Sequence, residues 1–596
     1  MNNKLKKLRT LMTQNNIDGF IIPTSDTHAS EYVADYFKCR EFISGFTGSA
    51  GTLVIGMDNA ALWTDGRYFL QAADELSGSE IELMQMGITG TPSIEDWLIQ
   101  NGIKRLGFDG RLISAAKSEE LKKCGFEISS DLDLAGEVWG SDRPQLKPSK
   151  IFSLPISVTG KSVSEKAREL QMILSERNID ALIITDLGET AWLTNLRGDD
   201  IAYTPVFYAY AVITMEKLTI FPLSEQRLDA LIDDGKSDIE IEQRPYYEIF
   251  DFVSKMPRSS NICIDKKYIA KAMFDSLPND CNILDIQSPI QMMKAIKNKV
   301  EISSTEKAHI RDGAAVTEFL AMIDSLSRAK AAGDPLGINE MQASDKLLSI
   351  RASKTGFIEP SFETITGFGP NGAVVHYTPK ADGSAELINR GLLLVDSGGQ
   401  YNDGTTDITR VITLGAPSEA EKRDYTLVLK SHIALSNAVF PKGTKARELD
   451  NIARKPLKDA GLDYAHGTGH GVGHIAGVHE GPFAITKNTA NDPGAPAEEE
   501  ILPNMVMSCE PGVYREGEYG IRLENLIVCK SKGYDNELCF TPITLCPFDN
   551  RLIITDMLDD HEKKWLNEYH AIVRDTLLPI INEDSRDFLM AQTEAL

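Results

Sequence analysis

The chain has 596 residues, 42% of them hydrophobic and 25% charged, with a mean hydropathy of -0.20. That length exceeds what one hydrophobic core can fill and predicts about three or four domains, while the composition argues against both a disordered and a membrane-embedded chain. A formal net charge of -25 argues against nucleic acid and anionic membranes as partners, since both require local positive potential.

No run reaches the roughly 18 apolar residues of a membrane-spanning helix. The basic start, Lys4-Leu5-Lys6-Lys7-Leu8-Arg9, lacks the apolar segment of a signal peptide. The eight cysteines form no CxxC and read as free thiols of a reducing compartment. The expected location is cytoplasmic.

Residues 3–16 place Leu5, Leu8, Leu11 and Met12 on one helical face. A buried strand follows at 17–23, then a hairpin at 52–56 and 60–63, a helix from Phe69, and further strand and helix at 80–84 and 93–101. The expectation is an α/β domain over 1–148. The glycine-rich Gly45–Gly51 stretch precedes a strand and has no lysine, so it reads as a structural turn rather than a phosphate loop. His28 reads as a satisfied surface residue. The 139–148 segment reads as a linker.

A second α/β domain is expected over 149–300. LMTQNNIDGFII (11–22) is echoed by ILSERNIDALII (173–184), which points to an internal duplication. The polar stretch WLTNLRGDD (192–200) admits two readings. It reaches another domain's site, or Arg197 simply holds Asp199 or Asp200 in a turn.

Residues 301–596 concentrate the chemistry. Two helices, 301–331 and 338–352, precede a strand ending at His376. Asp396 ends the apolar run GLLLVD, and Asp407 stands eleven residues later in a second strand, with 401–404 as the reversal. Adjacent antiparallel strands would bring the two acids together, where they repel unless a cation or a shared proton intervenes. His470 lies among Gly467, Gly469, Gly471 and Gly473, which exclude a zinc-binding HxxxH helix. Glu510 follows the strand 505–509, and Glu524 lies within 520–528. Four carboxylates and one imidazole suit a pair of Mn²⁺, Co²⁺ or Zn²⁺ ions better than a structural zinc. Such a pair activates water and polarises a carbonyl. His376 and His479 are candidates for proton transfer and for stabilising an intermediate. His474 reads as packed and hydrogen-bonded. Cys509 reads as a buried apolar residue rather than a nucleophile, and an amphipathic helix near 559–577 is expected to pack on this domain.

The segments His376-Tyr377, DSGGQYNDGTTDITR (396–410), GTGHGVGH (467–474), VHEGP (478–482) and EPGVYREGEYGIRLEN (510–525) together resemble the Xaa-Pro aminopeptidases, or aminopeptidase P, in their large three-domain cytosolic form. FTGSAGT (46–52), DGRYFLQA (65–72) and WGSDRP (139–144) extend the resemblance over nearly the whole chain. It implies two related N-terminal α/β (creatinase-like) domains followed by a C-terminal pita-bread peptidase domain, an α/β and α+β multidomain fold. It also implies that Asp396, Asp407, His470, Glu510 and Glu524 hold two divalent ions, usually manganese, with Asp407 and Glu524 bridging. Glu510 would be the general base, His376 and His479 would handle the substrate, and Arg522 would support the bridging acid. The implied reaction is hydrolysis of the bond between an N-terminal residue and a following proline through a metal-bridging hydroxide, in a homodimer. Prolidase and a non-catalytic peptide-binding scaffold are the alternatives. The chain has Ala476-Gly477 where many relatives carry Leu-Asn, a departure expected to widen the local pocket.

Overall fold

The computed structural model describes residues 3–232, 239–487, 497–533 and 536–596, in two compact units, Met1–Met292 and Met293–Leu596.

The first unit contains two six-stranded sheets of identical topology. One has β1 (Gly19–Pro23), β2 (Thr52–Gly56), β3 (Ala60–Thr64), β4 (Ile81–Gln85), β5 (Arg105–Phe108) and β6 (Glu127–Ser129), in the order β4-β3-β2-β1-β5-β6. The other has β7 (Ala181–Ile184), β8 (Ala209–Thr214), β9 (Lys217–Pro222), β10 (Glu240–Gln243), β11 (Asn261–Ile264) and β12 (Asn282–Asp285), in the order β10-β9-β8-β7-β11-β12. Parallel and antiparallel neighbours also fall in the same places. The duplication reaches individual residues. Asn16 and Asn178, at the two helix exits, both adopt φ 55°, a left-handed conformation asparagine tolerates. Asp18 and Asp180 follow, and each exchanges backbone and carboxylate hydrogen bonds with the residue opening or preceding the parallel neighbour, Arg105 and Asn261 respectively.

One expectation fails in this unit. His28 is not at the surface. It is 1% exposed, with Nδ1 2.6 Å from the Thr185 carbonyl and Nε2 2.7 Å from the Tyr246 hydroxyl, and burial lowers its pKa. Its polar neighbours come from the second sheet's part of the chain, which no local pattern around residue 28 reveals. Arg197 is buried too and donates to the carbonyls of Ala191 and Leu196. Asp200 accepts from the backbone N–H groups of Ser149 and Tyr208. The Gly45–Gly51 stretch is the expected turn: the Arg40 guanidinium fills it, donating to the Phe46 and Gly48 carbonyls.

The second unit begins with α1 (Lys299–Arg328). Asn298 caps it, accepting from the backbone N–H of Val300 and Glu301, while Glu301 returns a bond to the Asn298 N–H. After α2 (Glu340–Ala352), a three-stranded sheet joins β13 (Ile365–Phe368), β14 (Leu392–Ser397) and β17 (Ile408–Thr413) in the order β13-β14-β17. The short strands β15 (Gly399–Tyr401) and β16 (Gly404–Thr405) form the predicted reversal. Every residue of β14 and β17 is buried, which suits the continuous apolar run Leu392–Val395 of β14 in place of an alternation. A six-stranded sheet contains β18 (Val439–Pro441), β19 (Gly469–Gly471), β20 (Glu480–Ile485), β21 (Val506–Cys509), β24 (Asn525–Lys532) and β25 (Glu537–Pro542), in the order β18-β25-β24-β21-β19-β20. Between β21 and β24, β22 (Gly512–Arg515) and β23 (Tyr519–Arg522) make an antiparallel hairpin.

The C-terminal helix α3 (Asp560–Leu577) packs as expected, burying Leu566, Tyr569 and Val573. Its Tyr569 hydroxyl meets the Arg410 guanidinium at 3.0 Å. Arg410 also donates to the Glu524 carbonyl at 2.6 Å and to Asn525 Oδ1 at 2.7 Å. The tail therefore braces the strand end that carries Glu524.

Another buried pair locks α2 to α1. Arg351 donates from Nε and Nη2 to Asp312 at 2.8 and 3.1 Å, and the Tyr401 hydroxyl donates to the same carboxylate at 2.9 Å. Replacing Arg351 with leucine strands a buried carboxylate. We expect about 3–5 kcal/mol of destabilisation, read as a lowered urea midpoint for the tryptophan fluorescence change. An unchanged midpoint would contradict this account of the α1–α2 contact.

Candidate metal centre

Five strands deliver the predicted residues, each residue within its strand or next to the strand's end. β14 and β17 pair antiparallel with Asp396 opposite Thr409, so Asp407 sits just ahead of β17, near Asp396. β19 carries His470 and pairs with β21 through Gly471 and Met507. Glu510 follows β21, whose Cys509 lies opposite Asn525 of β24, and Glu524 immediately precedes that strand. The glycines around His470 have a steric cause. A Cβ at Gly469 would lie 2.0 Å from the Ser508 carbonyl oxygen, and one at Gly471 2.2 Å from that of Glu480. Only glycine admits so close a strand approach.

Ligand atoms of Asp407, His470 and Glu524 all lie within 4.8 Å of one another. His470 Nε2 is 3.6 Å from Asp407 Oδ2 and 3.4 Å from Glu510 Oε1, separations that a shared cation would bridge. Asp396 Oδ1 and Glu524 Oε1 are buried and have no hydrogen-bond partner. An orphaned buried carboxylate oxygen is costly, and a bound cation would satisfy both. The opposite oxygens are occupied by orienting donors. Arg522 donates from Nε and Nη2 to Asp396 Oδ2, Thr409 Oγ1 donates to Glu524 Oε2 at 2.8 Å, and Ser508 Oγ donates to Glu510 Oε1 at 3.2 Å. Oxygen-rich, with one imidazole and unsatisfied oxygens pointing inward, this donor set fits divalent ions.

The electrostatics agree. Burial, then the Asp396 and Glu510 charges, raise the Asp407 pKa well above the usual carboxylate range. Burial and the charges of Asp407, Glu510 and Asp396 do the same to Glu524. Glu510 is pushed up to about 7, mainly by burial and the Asp396 charge and against the opposing pull of Arg522.

The remaining candidates take different places. The His479 ring meets the His470 ring edge-on, with centroids 4.3 Å apart. His376 adjoins Val375, whose carbonyl accepts from Arg522 Nη2 at 3.3 Å. Arg522 pairs with Asp396, whereas the resemblance had it supporting a bridging acid, Asp407 or Glu524. His474 is buried with Nδ1 3.0 Å from Thr305 Oγ1, as expected. His466 contacts the Tyr514 hydroxyl at 2.8 Å, and that hydroxyl accepts from Arg522 at 2.7 Å. Cys509 is fully buried and its thiol pKa is raised by burial, which suits packing rather than nucleophilic attack.

Sequence reasoning passed over several supporting residues. Thr409 and Ser508 are two residues from a ligand, and strand alternation could have flagged them. Lys294 and Lys297 had no such signal. Their ammonium groups reach Glu480, beside His479, at 3.2 and 2.8 Å in a buried triad. Burial pushes the Glu480 pKa up, and the two lysines more than offset this and hold it below its usual range. Ala476, in the departure from many relatives, is buried and its carbonyl accepts from Gln400 Nε2 at 2.8 Å.

Raised carboxylate pKa values imply a pH-dependent cost in the metal-free protein. The native state binds more protons than the unfolded state between the ordinary value of 4.5 and about 7 for Glu510, so stability falls as pH rises through that window. Chelated protein should therefore lose Tm between pH 5 and pH 7.5. Added Mn²⁺ should raise Tm more at pH 7.5 than at pH 5 in a thermal melt. A Tm gain that is larger at pH 5 would rule out this origin.

Comparison with known proteins agrees with this arrangement. Residues 303–531 match metallopeptidase family M24, and residues 536–596 match the C-terminal region of peptidase M24. Residues 4–135 and 142–301 each match a creatinase/prolidase N-terminal domain. A probable Xaa-Pro aminopeptidase P of Laccaria bicolor is 39% identical, over 98% of this chain and 91% of its own. One from Colletotrichum graminicola is 40% identical, over 95% and 94%. The crystal structure of X-prolyl aminopeptidase from Caenorhabditis elegans, described as a cytosolic enzyme with a di-nuclear active site, superposes with a TM-score of 0.92 at 30% identity, covering 100% of this chain and 99% of that one. Full-length likeness on this scale, with ligand-type residues gathered at the matching motifs, shows that the chain belongs to the Xaa-Pro aminopeptidase P family of M24 metallopeptidases.

Proposed function

We propose that this protein is a metal-dependent aminopeptidase that removes the N-terminal residue from peptides with proline in second position. The carrying observation is that Asp396, Asp407, His470, Glu510 and Glu524 gather in one cluster, with Asp396, Asp407 and Glu524 buried, in a chain that matches an X-prolyl aminopeptidase end to end at a TM-score of 0.92.

These five residues would hold two divalent ions, which we take to be Mn²⁺ with Co²⁺ or Zn²⁺ as substitutes. When bound, they supply Lewis-acid polarisation of the scissile carbonyl and acidify water. The protein's residues do the rest. Glu510 accepts a proton as water adds to the carbonyl carbon. It then delivers that proton to the proline nitrogen as the C–N bond breaks. His376 and His479 face the substrate and stabilise the oxyanion. Arg522 holds Asp396 oriented through two guanidinium hydrogen bonds. An imide nitrogen bears no hydrogen, so a proline-selective site recognises the ring and the free amino terminus without demanding an N–H donor. The same reading makes the protein a cytoplasmic homodimer. No helix among the described residues is long and apolar enough to cross a membrane.

Release of the first residue should be measured from Xaa-Pro-Yaa, Xaa-Pro and Met-Ala-Yaa peptides with Mn²⁺-loaded protein. The expected order is efficient cleavage of the tripeptide, weak cleavage of the dipeptide and none of Met-Ala-Yaa. Glu510→Gln should lower kcat by about 10²–10⁴-fold. Preference for the dipeptide would make the protein a prolidase, and inactivity without detectable metal would make it a scaffold.

A further inference from the structure

Residues 369–385 leave β13, carry His376 and return to a short strand at Glu386–Ile388. This loop converges on one side chain, that of Glu340, the first residue of α2. Glu340 is fully buried. Its Oε1 accepts from the Phe368 backbone N–H at 2.7 Å and from Asn371 Nδ2 at 2.9 Å. Its Oε2 accepts from Asn371 Nδ2 at 3.0 Å, from the Tyr377 hydroxyl at 2.6 Å and from the Ala385 backbone N–H at 2.8 Å. The Glu340 backbone also takes part, its N–H donating to the Ala385 carbonyl and its carbonyl accepting from Thr366 Oγ1.

A buried carboxylate costs several kcal/mol unless donors surround it. Here every one of these donors is neutral, and they come from the start, middle and end of a single loop. This one group therefore holds Phe368, the last residue of β13, together with three residues of the loop, Asn371, Tyr377 and Ala385. The restraint bears on His376 directly. On its C-terminal side, Tyr377 is tied to Glu340. On its N-terminal side, the Val375 carbonyl accepts from Arg522 Nη2, and the same guanidinium donates to Asp396. His376 is thus the residue between two anchors, one in the metal cluster and one at the start of α2.

We propose that Glu340 is a positioning residue for peptide hydrolysis: through the Tyr377 hydroxyl and the loop N–H groups it fixes where the His376 imidazole stands relative to the Asp396–Arg522 pair. This rests on the reading that His376 takes part in the reaction. Small displacements of a catalytic group cost up to about 10²-fold in rate.

The test is a double-mutant cycle in the full-length, Mn²⁺-loaded protein. It combines Glu340→Gln, Tyr377→Phe and His376→Ala, and reads kcat, KM, Tm and bound metal on an Xaa-Pro-Yaa peptide. Tyr377→Phe leaves Glu340 its other donors and so preserves the fold if Glu340→Gln does not. Tyr377→Phe should lower kcat about threefold to tenfold, and Glu340→Gln about 30- to 100-fold. Metal content should stay at the wild-type level, and the loss should fall on kcat more than KM. On the His376→Ala background neither change should lower kcat further by more than about twofold. Additive losses on that background, a wild-type kcat for Tyr377→Phe, full activity of His376→Ala, or a loss that follows lost metal would overturn the proposal. A wild-type protein that does not cleave the peptide would overturn the functional reading beneath it. With an active wild type, the cycle alone decides.

Discussion

Mutual repulsion among four carboxylates in a water-poor pocket is the constraint around which the second unit is built. Asp396, Asp407, Glu510 and Glu524 lie close enough that three of them have pKa values raised by burial and by one another. Left alone, such a group takes up protons. The surroundings favour the ionised state selectively. Arg522, Thr409 and Ser508 each occupy one oxygen of a different acid, and the unpartnered oxygens of Asp396 and Glu524 are where positive charge has most effect. A cation held there would relieve this repulsion, since metal ligands must stay deprotonated.

Holding such a cluster requires rigid support from several directions. β19 reaches its neighbours only because glycine lies on either side of His470. Arg410 ties the backbone of Glu524 to Tyr569 on the C-terminal helix, so a segment with no ligand of its own takes part in the site. Glu480, beside His479, is fastened by Lys294 and Lys297 at the start of the unit. Buried ion pairs of this kind add little net stability, because desolvation offsets the Coulomb gain. What they supply here is direction. A displaced partner leaves an unpaired buried charge, so alternative placements of the loop are penalised.

The first unit has a different logic. Its two sheets share strand order, strand sense and even the asparagine at the helix exit and the aspartate that follows it. Duplication reuses one solution to burying an α/β core. The polar contacts of His28 with Thr185 and Tyr246 belong to neither copy alone. They arise only where the two meet, which is why the duplication could be read in the chain and these contacts could not.

Short-range patterns were enough for much of this protein. Helical spacing located α1 and the C-terminal helix, the apolar run before Asp396 located β14, and glycine spacing excluded a zinc helix at His470. The motifs carrying Asp396, Asp407, His470, Glu510 and Glu524 were legible because acids and an imidazole among glycines and apolar runs stand out, and each motif is local. Tertiary structure alone decided which oxygen of each acid is left for a cation, that Arg522 serves Asp396, that His28 is buried, and that Glu340 gathers the loop bearing His376. Each depends on residues tens to hundreds of positions apart meeting in a water-poor interior. There a hydrogen bond or charge derives its strength from the three-dimensional surroundings, and sequence spacing carries no record of them.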